Sequence, residues 1–142
     1  LQSQKMRIFL DANIIVTVLN KEYPLYNYAA RILSITHHSR FKIYTSPISL
    51  AIAFYFASKK SGEIKAKEKI KTLVENIILT TVDEDICRKA AIDPKVHDYE
   101  DGIQYYSAIE KKCQAIITTN TEDFYFSEIK ILTCEQFIKE VF

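Results

Sequence analysis

The chain has 142 residues, 48% of them hydrophobic and 26% charged, with a formal net charge of +1. That is the balance of an ordinary soluble globular protein with enough chain to bury a full core. No apolar run approaches the ~20 residues that span a bilayer, so no membrane segment is expected. With only two glycines, a glycine-rich phosphate loop is excluded as well.

The charge balance neither points to nucleic acid nor argues against it. Leu1 to Lys5 read as a leader or remnant ahead of one domain covering 6–142, with Met6 as a natural start and no secretory signal. Cys87, Cys113 and Cys134 are odd in number and lack ligand spacing, which fits reduced thiols in a cytoplasmic protein. No pattern joins them to His37, His38 or His97 as a zinc site.

Short apolar runs alternate with helical patterns along the chain. "RIFL" (Arg7 to Leu10) is the first expected strand, and the run continues through Asp11 and Asn13. A carboxylate at the end of a core strand costs several kcal/mol if unpaired, so it is paired, exposed or holding a metal. Asn13 offers an N-cap for the first helix. His37 and His38 sit in a polar turn and are expected to be exposed.

The second strand is "FKIYT" (Phe41 to Thr45), followed by "SPISLAIAFYFASKK" with Ser46 as N-cap and Pro47 at the first helical position. A helix from Glu63 to Asn76 places Ile64, Ile70, Leu73 and Val74 near one face. "IILTTV" (Ile77 to Val82) is the third strand, and Asp83 caps "EDICRKAAI". Asp98 caps "YEDGIQYYSAIEKK", "AIITT" (Ala115 to Thr119) and "KIL" (Lys130 to Leu132) are further strands, and Thr133 caps the last helix. Strands alternating with helices imply an α/β three-layer sandwich around a central, mostly parallel sheet.

In such sheets ligands gather at the carboxyl ends of the strands. Asp11 follows the first strand directly, and Asp123 follows "AIITT" by a few residues. Asp98, Glu100 and Asp101 crowd one helix start, where acids are favourable by ~0.3–1 kcal/mol each but where capping needs only one or two. Asp101 is expected to share a face with Tyr105 and Ala108 and to point toward the sheet. Asp11, Asp101 and Asp123 then converge on one point, a set of hard oxygens suited to Mg²⁺ or Mn²⁺. Metal-activated attack of water on a phosphodiester is the matching chemistry, with helix capping as the plainer alternative.

"IFLDANIIV", "TSPISLAIAFYF", "YEDGIQYYSA" and "IITTNTEDF" resemble, in order and spacing, the motifs of PIN domains, the fold of VapC-type toxins. The resemblance runs from about Arg7 to Phe142. It implies a parallel sheet flanked by helices, a pocket binding Mg²⁺ or Mn²⁺, and metal-dependent cleavage of single-stranded or structured RNA. It also implies a homodimer and, for toxins, a small antitoxin partner. By motif, Asp11, Asp101 and Asp123 are metal-holding catalytic acids, and Asn13, Glu100 and Asn120 are pocket neighbours. Asn120 stands where some members carry aspartate. The family commonly has a glutamate six positions past the serine that is Ser46 here, and this chain has Ile52. A degenerate module that binds RNA or a protein partner is therefore the alternative, whereas a phosphatase or DNA nuclease has no residue specifically in its favour.

The lysines at 59, 60, 65, 67, 69 and 71 are either phosphate contacts or a solvated helix face. Tyr55, Tyr105 and Tyr106 fall at core-like helical spacing, so packing is their expected role rather than stacking on bases.

Overall fold

A computed structural model describes residues 5–21, 26–36 and 40–141. Leu1 to Gln4, His37 and His38 lie outside them. Five strands form the sheet: β1 (Met6–Leu10), β2 (Phe41–Thr45), β3 (Ile78–Leu79), β4 (Ala115–Ile117) and β5 (Lys130–Leu132). Their spatial order is β3-β2-β1-β4-β5, and every pairing is parallel. Parallel neighbours need crossovers; helices supply them except between β4 and β5, where a 3-10 turn (Thr121–Phe124) stands. The helices are α1 (Ala12–Leu19), α2 (Tyr26–Ser34), α3 (Pro47–Ser61), α4 (Glu63–Val74), α5 (Glu84–Ile92), α6 (Tyr99–Glu110) and α7 (Cys134–Val141).

Strand alternation sorts the core into two sides. Ile8, Leu10, Ile43 and Ile117 pack with Ile14 and Ile15 of α1, Ala53 of α3 and Phe137 of α7. Phe9, Tyr44 and Ile116 pack on the other side with Tyr105 and Ala108 of α6 and with Phe124. Ile103 joins α6 to Ile86 and Ala90 of α5. Fully burying one such Ile or Phe contributes roughly 1.5–3 kcal/mol, so both sides of the sheet are strongly held. The expected three-layer α/β sandwich is the observed architecture, with a sheet that is wholly parallel.

The helix starts at Ser46, Asp83, Asp98 and Thr133 form as expected. Ser49 N–H donates to Ser46 Oγ at 2.9 Å, Ile86 N–H to Asp83 Oδ1 at 3.0 Å, and Asp101 N–H to Asp98 Oδ1 at 3.1 Å. Thr133 and Gln136 make a reciprocal capping box, at 3.1 and 2.9 Å. The first helix departs from expectation. Its N-cap is Asp11, whose Oδ1 accepts from Ala12 N–H at 2.8 Å, and Asn13 sits inside the helix.

Two strands are shorter than their apolar runs. β3 keeps only Ile78 and Leu79, because the chain leaves this sheet edge after Thr80 to reach the Asp83 cap. β4 stops at Ile117, because the Thr118 and Thr119 polar groups turn toward the loop after β1. The α4 core face is Ala66, Ile70 and Leu73, whereas Ile64 is 80% exposed and Val74 lies at the helix end. Ile64 is at the first turn of α4, before that helix crosses α3.

The lysine run divides. Lys69 Nζ donates to Leu19 O at 2.9 Å, and Lys60 Nζ donates to Asn20 O, so both close the carboxyl end of α1. Those two are structural cations rather than phosphate contacts.

A buried polar seam ties α6 to the start of α3. The Gln104 amide accepts from Ser46 Oγ and donates to Ser49 Oγ at 2.8 Å, and all three residues are fully buried. Thr80 Oγ1 extends the seam by donating to Ser107 Oγ at 3.1 Å, and Ser107 donates to Gln104 O at 3.0 Å. In a dry site, removing one partner costs the desolvation of the hydroxyls left behind, about 1–3 kcal/mol. Gln104→Leu is therefore expected to lower stability by that amount in urea unfolding, despite keeping the side-chain volume. A loss below about 0.5 kcal/mol would show that Ser46 and Ser49 find other partners.

Candidate metal centre

The order of the strands reverses at β1, which pairs with β2 on one side and β4 on the other. The loops leaving β1 and β4 diverge there and leave a crevice at their carboxyl ends. Asp11 stands at this point, 7% exposed. Its backbone N–H still donates to Ile117 O at 2.9 Å, which carries the ladder one residue past β1.

Three hydrogen bonds hold the Asp11 carboxylate, and two more join Asn13 to the loop after β4. Besides the Ala12 N–H on Oδ1, Thr118 Oγ1 donates to Oδ2 at 2.8 Å and Asn13 Nδ2 donates to Oδ2 at 3.3 Å. Asn13 Nδ2 also reaches Thr118 Oγ1 at 3.2 Å, and Asn13 Oδ1 accepts from Thr119 N–H at 3.2 Å. Asn13 is thus a latch across the crevice, and Thr118 is the hub. Thr118 is the residue that sequence reading passed over, because "AIITT" reads as plain strand. The only available signal was a hydroxyl at a strand's carboxyl end.

Asp101 lies in the first turn of α6, half-buried at the crevice, where Tyr105 and Ala108 anchor the same helix in the core. Asp123 sits in a short 3-10 turn (Thr121–Phe124) after β4. Phe124 is 1% exposed and packs with Phe9 and Tyr105, so the ring pins the turn that carries Asp123. The pairing of Asp with Phe in this turn thus has a mechanical basis.

Asp11, Glu100, Asp101 and Asp123 line one pocket of about 530 Å³, with Asn13, Thr17 and Thr119 as polar neighbours. Ile52 lines it too, as an apolar residue. Asn120 does not; it is exposed, and its backbone N–H donates to Thr118 Oγ1 at 3.1 Å. Thr119 takes the place at the lining that motif matching assigns to Asn120.

Electrostatics mark the pocket as short of positive charge. Among the described residues no lysine, arginine or histidine lines it. Burial pushes the Asp101 carboxyl up to about 7, reinforced by the charges of Asp98, Asp11, Asp123 and Glu100. Burial also raises Asp11, against the pull of its Thr118 and Ala12 hydrogen bonds, and the Asp123 charge adds to the rise. Glu100 is raised by burial and then by Asp98 and Asp11. Like charges crowded without a counter-ion favour protonation or a bound cation.

The donors are carboxylate, amide and hydroxyl oxygens, the set that hard divalent cations prefer. Among the described residues no three His, Cys, Asp or Glu side chains stand close enough to share one ion directly. Mg²⁺ keeps several waters and takes one or two carboxylates, so carboxylates spaced around a pocket of this size fit it through that shell. The thiols stand apart: Cys113 and Cys134 are buried, burial pushes both up to about 12, and all three cysteines are free. The two buried thiols are inert. Among the described residues no helix is long and apolar enough to cross a membrane.

Comparison with known proteins agrees with this fold. The chain is 27% identical over 135 residues to "Ribonuclease VapC1" of Aquifex aeolicus (strain VF5), covering 92% of each. VapBC-1 from nontypeable Haemophilus influenzae shares the fold at a TM-score of 0.70 and 19% identity, with 92% of this chain and 99% of that one covered. A chain of a toxin-antitoxin complex from Klebsiella pneumoniae superposes at a TM-score of 0.67 and 19% identity, over 89% of this chain and 97% of that one. The family model described as "PIN domain" matches residues 7–122, and with most of the chain so matched, this protein belongs to the PIN-domain family.

Proposed function

We propose that the protein is a metal-dependent endoribonuclease, the toxin half of a toxin–antitoxin pair. The observation that carries the reading is one pocket at the strand-order reversal, lined among the described residues by four carboxylates and no cation. The ribonuclease name of the Aquifex relative and the toxin–antitoxin assembly of the Klebsiella chain support it.

Asp11, Asp101 and Asp123 would hold Mg²⁺ or Mn²⁺ largely through its water shell, with at most two of the carboxylates in direct contact. Bound there, the ion supplies Lewis-acid polarisation of a phosphate and a more acidic water. The chain's own residues do the remainder. Thr118 and Asn13 fix the Asp11 carboxylate so that it stays put when its charge is demanded. Asp101, pushed up to about 7, can lose its proton to solvent near neutral pH and so offer a charged oxygen to a cation. Glu100, beside it on the lining, is the remaining carboxyl available to take a proton. RNA is the substrate, a small antitoxin the protein partner, a homodimer the assembly and the cytoplasm the location.

A second reading, a module that binds RNA or protein without cleaving, is favoured by Ile52. It puts a branched alkyl group on the lining where the family commonly places a glutamate.

The acid cluster makes stability depend on pH. Asp101 has a folded-state value of about 7 against an ordinary 3.8, so the protonated form favours the fold. That contribution is fully present below about pH 4 and is lost as pH rises through about 7. The metal-free protein should accordingly melt lower as pH rises across that window, and Asp101→Asn should flatten the trend. At about pH 8 the variant is expected to melt higher by roughly 3 °C, equivalent to about 1 kcal/mol for a domain of this size once solvent screening is discounted. Mn²⁺ should raise the melting temperature of the parent and not of the variant. Mn²⁺-dependent RNA cleavage should fall about a hundredfold or more. A variant that melts lower at low salt would instead make Asp101 a structural cap partner.

Ile52→Glu separates the two readings. A further carboxylate on the lining should tighten Mn²⁺ binding by roughly tenfold in calorimetric titration. It should speed cleavage if the parent is a slow nuclease, and it lowers metal-free stability by adding repulsion. Equal Mn²⁺ affinity in parent and variant would remove Ile52 from the metal site.

A further inference from the structure

The acidic pocket has an apolar wall that phosphate chemistry leaves unused. Val16 of α1 and Ile52 and Phe56 of α3 line it together with the carboxylates. Ile52 and Phe56 are four residues apart, one turn of the same helix side. The core side of α3 is taken by Ser49, Leu50, Ala53 and Ala57. The rings of Tyr55 and Phe56 therefore have no core to enter, and they stand 52% and 46% exposed. This corrects the expectation that Tyr55 is a packing residue; Tyr105 is buried and Tyr106 partly so.

These rings are ordered with respect to each other. Tyr55 and Phe56 meet edge to face, with centroids 5.2 Å apart and planes at 81°. Lys59 Nζ sits 4.3 Å from the centroid of the Tyr55 ring, a cation–π contact. From the pocket outward the helix thus presents β-branched Ile52, then one ring, a second ring and a cation. A pocket of about 530 Å³ also has room for far more than a hydrated ion.

A phosphodiester strand is repelled by four carboxylates, so its attraction must come from elsewhere on the surface. Aromatic faces stack on any base, and a nearby cation takes the backbone charge; the pair is how single strands are held without base readout. We infer that Phe56 and Tyr55 are the stacking platform for an unpaired nucleobase beside the scissile phosphate, with Ile52 and Val16 beneath it and Lys59 on a neighbouring phosphate. The inference rests on the ribonuclease reading and adds a requirement on the strand: at least one base beside the scissile phosphate must be free to unstack. It also gives Ile52 a role as pocket wall in place of a lost ligand.

The chain contains no tryptophan, so Phe56→Trp introduces a lone reporter at the platform. Titration with an oligoadenylate dodecamer should quench its fluorescence, and an abasic ribose-phosphate oligomer of equal length should not. Phe56→Ala should weaken dodecamer binding at least about 5-fold, as loss of a stacked base does, without changing the salt dependence. Lys59→Ala should instead lower the salt slope by about 0.7. A parent that cleaves RNA with Mn²⁺, while Phe56→Ala keeps its dodecamer affinity and kcat/KM, overturns the platform and leaves the ribonuclease reading intact. Quenching and weakened binding in a protein that never cleaves RNA support the platform and overturn the ribonuclease reading. A dimer that Phe56→Ala converts to monomer assigns the rings to a second copy and overturns the platform.

Discussion

A carboxylate must be kept almost dry at the end of the central strand, and much of the molecule is arranged around that demand. Asp11 is 7% exposed, and its burial raises the energy of the charged form. An uncompensated charge there would cost several kcal/mol. The compensation comes from the α1 N-terminus, Thr118 and Asn13. Because Thr118 belongs to the β4 loop, the same hydrogen bonds that hold the charge also clamp the two loops of the switch point. Charge burial and loop geometry are one problem with one solution here.

The other acids are delivered by packing rather than by hydrogen bonds to Asp11. α6 carries Asp101 and is set in place from below by Tyr105 and Ala108, and from the side by the Gln104 amide against Ser46 and Ser49. Gly102 lets α5 come close: a Cβ there would stand 2.6 Å from Val96 Cγ1 and 3.1 Å from Ala90 Cβ. Glycine costs a helix about 1 kcal/mol relative to alanine, so close approach outweighs propensity at the residue next to Asp101. Asp123 is placed by the burial of Phe124. Stable apolar contacts thereby hold mutually repelling carboxylates in one pocket, which is the condition for a site that wants a cation.

The α3 helix serves the core with one side and the pocket rim with the other. Small residues at 49, 53 and 57 let it lie close to α1, while the bulky residues at 52, 55 and 56 face outward or into the pocket. This is why its apolar residues run almost all the way round. A helix packed on both sides has that pattern, and so does one with an apolar outer surface reserved for a ligand. The lysines nearby are likewise divided in purpose: two close the end of α1, and Lys59 lies over a ring at the rim.

Local chemistry was enough for the architecture and for three of the acids. Short apolar runs, capping residues with their own oxygen acceptors, and alternation of strand and helix are short-range signals, and each acts within a few residues. Hence the caps at Ser46, Asp83, Asp98 and Thr133, the parallel α/β sandwich, and the candidacy of Asp11, Asp101 and Asp123 could be read directly from the chain. What tertiary structure alone decided are the relations across large sequence separations. Thr118 meets Asp11 across 107 residues, Gln104 meets Ser46 across 58, and Lys69 caps α1 across 50. No periodicity encodes such partners. The same holds for burial: Tyr55 and Tyr105 share a helical setting and a residue type, yet one ring is exposed and the other enclosed, because only the packing of α3 and α6 on the sheet determines which side of each helix is dry.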